Sequence, residues 1–122
     1  MPDPSELPEL PELSAEDRKL VTLARATRAR TGAVEGAAVR DGDGRTYAAA
    51  TVDLPSLQIS ALGVCVAMAV ASGVRALEAA VVLTEAREVS ADDLAAVREL
   101  GGPDVVVHRG DRSGSVVETT RT

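Results

Sequence analysis

The residues best suited to chemistry in this sequence are its only cysteine and its only histidine, Cys65 and His108. A zinc site needs several nitrogen or sulfur ligands, and one cysteine with one histidine cannot supply them. Cys65 lies in an apolar run, which predicts a buried structural thiol. His108 follows three valines, which predicts a polar residue at the end of a strand rather than a base or a ligand.

Hydroxyl and carboxyl groups are a second source of chemistry. Ser60 and Ser90 each precede a helical pattern, so Ser60 is predicted to be an N-cap or a buried hydroxyl and Ser90 an N-cap. Asp92 and Asp93 fall in the first turn after Ser90, where carboxylates stabilise the helix dipole. The alternative that these two acids bind a cation stays open.

Helices and strands alternate in the order that would position these residues. The patterns predict three helices and five strands, with helices at 14–30, 57–72 and 90–100 and strands at 35–40, 45–52, 77–84, 105–108 and 115–120. This order predicts an α/β fold, a three-layer α/β/α sandwich on a mixed sheet, in one domain spanning 14–122. Residues 1–13 repeat proline and glutamate, which predicts a disordered tail.

The second predicted helix is apolar on nearly every face from Ile59 to Val70. Such a helix must be buried on all sides, and one sheet in a small domain cannot cover it. The core also lacks Phe and Trp, so its small side chains bury little area each. We therefore expect a homo-oligomer, a dimer or a tetramer, that contacts its partner through this helix.

Composition excludes several classes of partner. The net charge is −6 with no clustered basic face, which argues against nucleic acid. The longest apolar run, 61–71, is too short to span a bilayer, and the N-terminus has no signal-peptide pattern. We expect a cytoplasmic protein without membrane contact, and a protein partner is possible.

Several strings resemble the small homotetrameric cytidine deaminases. They are GAAV at 36–39 with RDGDGRTYA at 40–48, AVASG at 69–73, VREL at 97–100 with GPDV at 102–105, and ETT at 118–120. The resemblance runs from about Ser14 to the C-terminus and implies the cytidine deaminase-like fold. It also implies a site at the start of two helices, where Cys or His residues bind zinc and a Glu transfers protons.

The positions that match this site carry other residues. Ser60, Ser90 and Asp93 stand where the family has zinc ligands, and Leu62 stands at the proton-transfer position. Val89 replaces the family's proline before the third predicted helix. C-x-E, H-x-E and C-x-x-C are absent in every register, so we expect no zinc and no catalytic residue. Leu62 further predicts that side chains partly fill the pocket.

Thr51 and Asp53 match the family's sugar-binding pair. The leading hypothesis is a non-catalytic protein of this fold, kept as an oligomeric structural or regulatory unit. A second hypothesis is a nucleoside- or nucleotide-binding module without chemistry, with Thr51, Asp53, Ser60 and Ser90 as its polar contacts. A third is an active cytidine deaminase with an unrecognised site.

Overall fold

The computed structural model describes residues 13–122, and the predicted tail lies almost entirely outside them. The described chain forms α1 (Ala15–Thr31), β1 (Gly36–Asp41), β2 (Thr46–Ala50), β3 (Val52–Leu54), β4 (Leu57–Ile59), α2 (Ala61–Ala71), β5 (Leu77–Leu83), α3 (Ala91–Gly101), β6 (Val106–Gly110) and β7 (Val116–Arg121).

Five strands form one mixed sheet in the order β2-β1-β5-β6-β7, in which only β5 and β6 run parallel. Alternate residues of β1 and β5 enter two separate cores. Ala38 and Val81 pack with α1, whereas Val39 and Val82 pack with α2 and α3. The structure thus confirms the predicted α/β fold on a mixed sheet.

The start of the second helix was predicted wrongly. Leu57–Ile59 is not the first helical turn but strand β4, which pairs antiparallel with β3 in a separate hairpin. Pro55 fixes its own φ and favours the turn between the two strands. The helix starts only after Ser60, whose hydroxyl accepts a hydrogen bond from the Gly63 amide at 3.0 Å.

Helix α2 is buried on one side only. Leu62, Cys65 and Ala69 are fully buried against the sheet. Ala67 and Val70 lie on the outer face, where Val70 is 55% exposed. Within one copy of the chain, this apolar helix keeps a stripe of exposed surface.

The first hairpin and the packing of α1 depend on two glycines. Gly44 has a φ of 85°, and the Asp41 carboxylate accepts hydrogen bonds from the Asp43 and Arg45 amides across the predicted turn. Gly36 lies directly under α1, where a Cβ would collide with the Ala24 carbonyl oxygen. The helix and β1 can therefore approach to backbone contact.

A buried polar network fastens α1 to the sheet. Asp17 contacts Nε2 of His108 at 2.8 Å and the Arg40 guanidinium at 3.0 Å. Nδ1 of His108 contacts the Thr119 hydroxyl at 2.8 Å, and Arg40 also pairs with Glu78 at 2.9 Å. His108 is only 3% exposed and lies in the middle of β6, so its prediction as a strand-end residue was wrong.

Burial alone would raise the pKa of Asp17. The hydrogen bonds from His108 and Arg40 outweigh that effect and hold the pKa of the carboxyl below its usual value. A carboxyl whose pKa is lower in the folded state stabilises the fold above its unfolded pKa. That stabilisation disappears as the pH falls through the folded pKa, below about pH 4.

We predict that Asp17→Asn lowers the free energy of unfolding by about 1.5–3 kcal/mol at pH 7, because it removes the carboxylate that contacts both His108 and Arg40. Urea unfolding at several pH values measures this difference, which should shrink below about pH 4 as the wild-type carboxyl becomes neutral. Glu16→Gln, on the exposed side of the same turn, should change stability by less than about 0.5 kcal/mol. Equal effects of the two substitutions would contradict the prediction.

Candidate functional site

The N-termini of α2 and α3 converge at the end of β5 and line a small, partly open cavity. Its volume is about 160 Å³, and its walls come from these two helix starts, from β5 and from the segments beside them. The lining residues are Glu35, Ser60, Val82, Thr84, Ala86, Glu88, Val89, Ser90 and Asp93. The three positions that match the family's zinc ligands therefore lie at one place, together with Val89.

A hydrogen bond joins the two helix starts. The Ser60 hydroxyl donates to Oδ1 of Asp93 at 2.6 Å while it accepts from the Gly63 amide at 3.0 Å. The Ser90 hydroxyl in turn accepts from the Asp93 amide at 3.1 Å. Both serines are N-caps, as predicted, and Asp93 connects them.

Leu62, the fourth matching position, lies in the core rather than on the cavity wall. Its side chain is fully buried with Cys65 and Val66 in the cluster between the sheet and the two helices. Val89, at the position of the family's proline, is 8% exposed and packs in the same cluster. No group able to transfer a proton stands at position 62.

The two other ligand candidates lie apart from the cavity walls. Thr51 is bonded to the backbone of Glu35, because its hydroxyl accepts from the Glu35 amide at 3.0 Å. Asp53 is exposed on β3, opposite Gln58 in the hairpin register. Of the four proposed polar contacts, the structure brings together Ser60 and Ser90 on the cavity.

Three polar residues on the cavity were not identified from the sequence. Glu35 precedes β1, Thr84 follows β5 and Glu88 lies just before the third helix. Thr84 is 5% exposed, and its hydroxyl accepts from the Ala86 amide at 3.1 Å. Their common signal is a polar residue next to the end of a buried strand or the start of a helix, which many loops share.

The residues at the cavity do not fit the zinc ion that the resemblance implies. Two neutral hydroxyls and one carboxylate replace the thiolate or imidazole ligands that zinc prefers, and their lone pairs already accept protein hydrogen bonds. Within residues 13–122, no group of three or more His, Cys, Asp or Glu side chains is placed to bind a metal ion.

The two residues with metal-binding chemistry are engaged elsewhere. Burial raises the pKa of the Cys65 thiol to about 12, so it stays protonated, as expected for a structural cysteine. His108 lies in β6 and contacts Asp17 of α1, whereas α2 and α3 pack on the other face of the sheet. Neither residue lines the cavity.

The cavity is small for a nucleoside. Pockets for small organic ligands usually measure about 300–1,000 Å³, roughly two to six times the volume found here.

The described part of the chain also contains no helix with the length and apolar character needed to cross a bilayer.

Comparison with known proteins identifies relatives of this fold. A family model described as cytidine deaminase-like matches residues 13–114. No curated protein sequence matches the chain. Among solved structures, the cytidine deaminase from Burkholderia pseudomallei is similar with a TM-score of 0.74 and 23% identity, covering 88% of this chain and 92% of that chain.

Two further solved structures are also similar to this chain in fold. The cytidine deaminase from Mycobacterium leprae has a TM-score of 0.67 at 20% identity, with coverage of 87% of this chain and 94% of that chain. The enzyme from Bacillus anthracis has a TM-score of 0.64 at 12% identity, with coverage of 88% and 84%. At these identities the structural likeness establishes the fold alone. The chemistry has to be inferred from the residues present at the site.

We predict that Leu62→Glu, which places an acid at the proton-transfer position, lowers the free energy of unfolding by about 3–5 kcal/mol, because a carboxyl replaces a fully buried apolar side chain. Leu62→Met, which conserves volume, should cost less than about 1.5 kcal/mol. Chemical denaturation followed by circular dichroism compares the two. A Leu62→Glu variant as stable as the wild type would show that water reaches this position.

Proposed function

Because the chain belongs to the cytidine deaminase-like family, we propose that it keeps the family's fold without zinc-dependent deamination and serves as a non-catalytic, oligomeric structural or regulatory unit. The observation that carries this proposal is the bond of 2.6 Å between Ser60 and Asp93. This hydrogen bond joins the starts of α2 and α3, at positions where, by resemblance, the family binds its metal.

The chemistry of deamination supports the same conclusion. In zinc deaminases the metal lowers the pKa of a bound water, and a glutamate transfers protons between that water and the base. Here the ligand positions carry N-cap hydroxyls and one carboxylate, and the proton-transfer position carries the buried Leu62. At the matching positions, neither the metal ligands nor the proton-transferring glutamate of that reaction is present.

The proposed oligomer rests on the outer face of α2. Gly63, Ala67 and Val70 follow each other at helical spacing on that face, and α2 contains no charged residue. Val70 is 55% exposed within one copy of the chain. A second copy of the chain that covers this stripe would bury apolar surface at no cost in buried charge.

A nucleoside-binding role is the second candidate, because Ser60, Ser90 and Thr84 all line one cavity. Its volume of about 160 Å³ and the hydrogen bonds already made by these hydroxyls favour the first candidate. A rise in the melting temperature with millimolar cytidine or uridine would support the nucleoside-binding alternative.

We predict that protein purified after growth with added zinc converts no cytidine to uridine above the uncatalysed rate. The assay follows the absorbance change of cytidine, with the Burkholderia pseudomallei cytidine deaminase as its positive control. Elemental analysis of the same sample should find less than about one tenth of a zinc equivalent per chain, because the donor set does not suit zinc. Turnover together with stoichiometric zinc would overturn the proposed function.

We predict that Val70→Glu converts the proposed oligomer into monomers, because a charge within the proposed contact must be desolvated without a partner. Light scattering after size-exclusion chromatography measures the mass of each species. Val117→Glu is the matched control, since Val117 is 47% exposed on the edge strand β7 and should leave the oligomer intact. A monomeric wild-type protein would contradict the proposed contact.

A further inference from the structure

We infer that Asp93 links two helices: it lies in the first turn of α3, and its carboxylate supplies negative charge to the N-terminus of α2. We call the contact between Ser60 and Asp93 the clasp. The inference rests on the proposed function in one respect, that this contact stands where relatives by resemblance place a metal. Its evidence comes from hydrogen bonds and charges around Ser60, Ser90 and Asp93.

The N-terminus of α2 lacks a charge that the other two helices have. The first turn of α1 contains Glu16 and Asp17, and the first turn of α3 contains Asp92 and Asp93, whereas the first turn of α2 has no acidic residue. A helix start carries a partial positive charge, which a nearby carboxylate stabilises. The hydrogen bond from Ser60 brings the Asp93 carboxylate to the start of α2, so α3 supplies the missing charge.

The geometry of the contact is that of a strong hydrogen bond. A hydroxyl that donates to a carboxylate typically lies about 2.5–2.7 Å from it, and this pair is at 2.6 Å. Ser60 uses its hydroxyl twice, because it caps α2 through the Gly63 amide and donates to Asp93. Asp93 also acts twice, since its amide bonds the Ser90 cap of its own helix.

Gly63 makes this double use of Ser60 possible. A Cβ at position 63 would lie 2.8 Å from the Ser60 hydroxyl and 3.1 Å from the Ile59 side chain. A side chain there would push against the oxygen that forms the clasp. The sequence around the helix start therefore suits a hydrogen-bonded link at this point.

Asp92 is a matched control for Asp93. Both carboxylates lie in the first turn of α3 and both interact with its dipole. Asp92 is exposed, whereas Asp93 is half-buried and bonded to Ser60. A role confined to α3 would make the two residues similar, and a clasp makes only Asp93 depend on Ser60.

A double-mutant cycle tests the clasp in the full chain. We expect Ser60→Ala and Asp93→Ala each to lower the melting temperature by roughly 5–10 °C, and the double variant to lose clearly less than the sum, because both substitutions remove the same bond. Ser60→Ala with Asp92→Ala should give additive losses. Additive losses in both cycles would overturn the clasp, whatever the outcome of the cytidine assay, which tests the proposed function alone.

A metal can test the same geometry from the opposite direction. In the Ser60→Cys/Ser90→Cys/Asp93→Cys variant, Co²⁺ should raise the melting temperature by more than 5 °C, because a metal–thiolate link would replace the hydrogen bond, and should produce the absorption of tetrahedral cobalt thiolate. The control variant has Asp92→Cys in place of Asp93→Cys. Equal responses of the two variants would show that position 93 has no privileged place between the helices.

Discussion

The small size of the core side chains governs how closely the layers of this domain must pack. Without Phe or Trp, the space between helix and sheet is filled by Ala, Val and Leu, so the backbones must lie near one another. Among the glycines of the described chain, Gly36 under α1 leaves the least room for a Cβ. Close packing also brings polar side chains together: one set joins α1 to the sheet, and another joins α2 to α3 within the layer on the opposite face.

Those fastenings differ on the two faces of the sheet. On the α1 face, the Asp17 carboxylate contacts Arg40 of β1 and His108 of β6. These contacts lower the pKa of the Asp17 carboxyl. On the other face, Ser60 and Asp93 join two helix starts through one hydrogen bond. The first contact fixes α1 against the sheet. The second links α2 to α3 at the positions that match the family's zinc site.

Local patterns were sufficient to predict most of the fold. The turn at Asp41–Gly44, the caps at Ser60 and Ser90 and the burial of Cys65 all follow from neighbouring residues in the chain. The β3–β4 hairpin was missed because Leu57–Ile59 is a short, mostly apolar segment directly before a helix. Such a segment has the same pattern in a short strand and in a first helical turn. His108 was misplaced because its partners, Asp17 and Thr119, are distant in sequence.

The clasp between Ser60 and Asp93 has a consequence for how this sequence can evolve. Each residue completes a cap in its own helix and a bond to the other, so a change at one position alters the value of the residue at the other. Substitutions at these two sites are therefore epistatic, because a lineage that loses one residue keeps only the other's role in its own helix. Among close homologues, positions 60 and 93 should covary, whereas position 92 should drift independently of both.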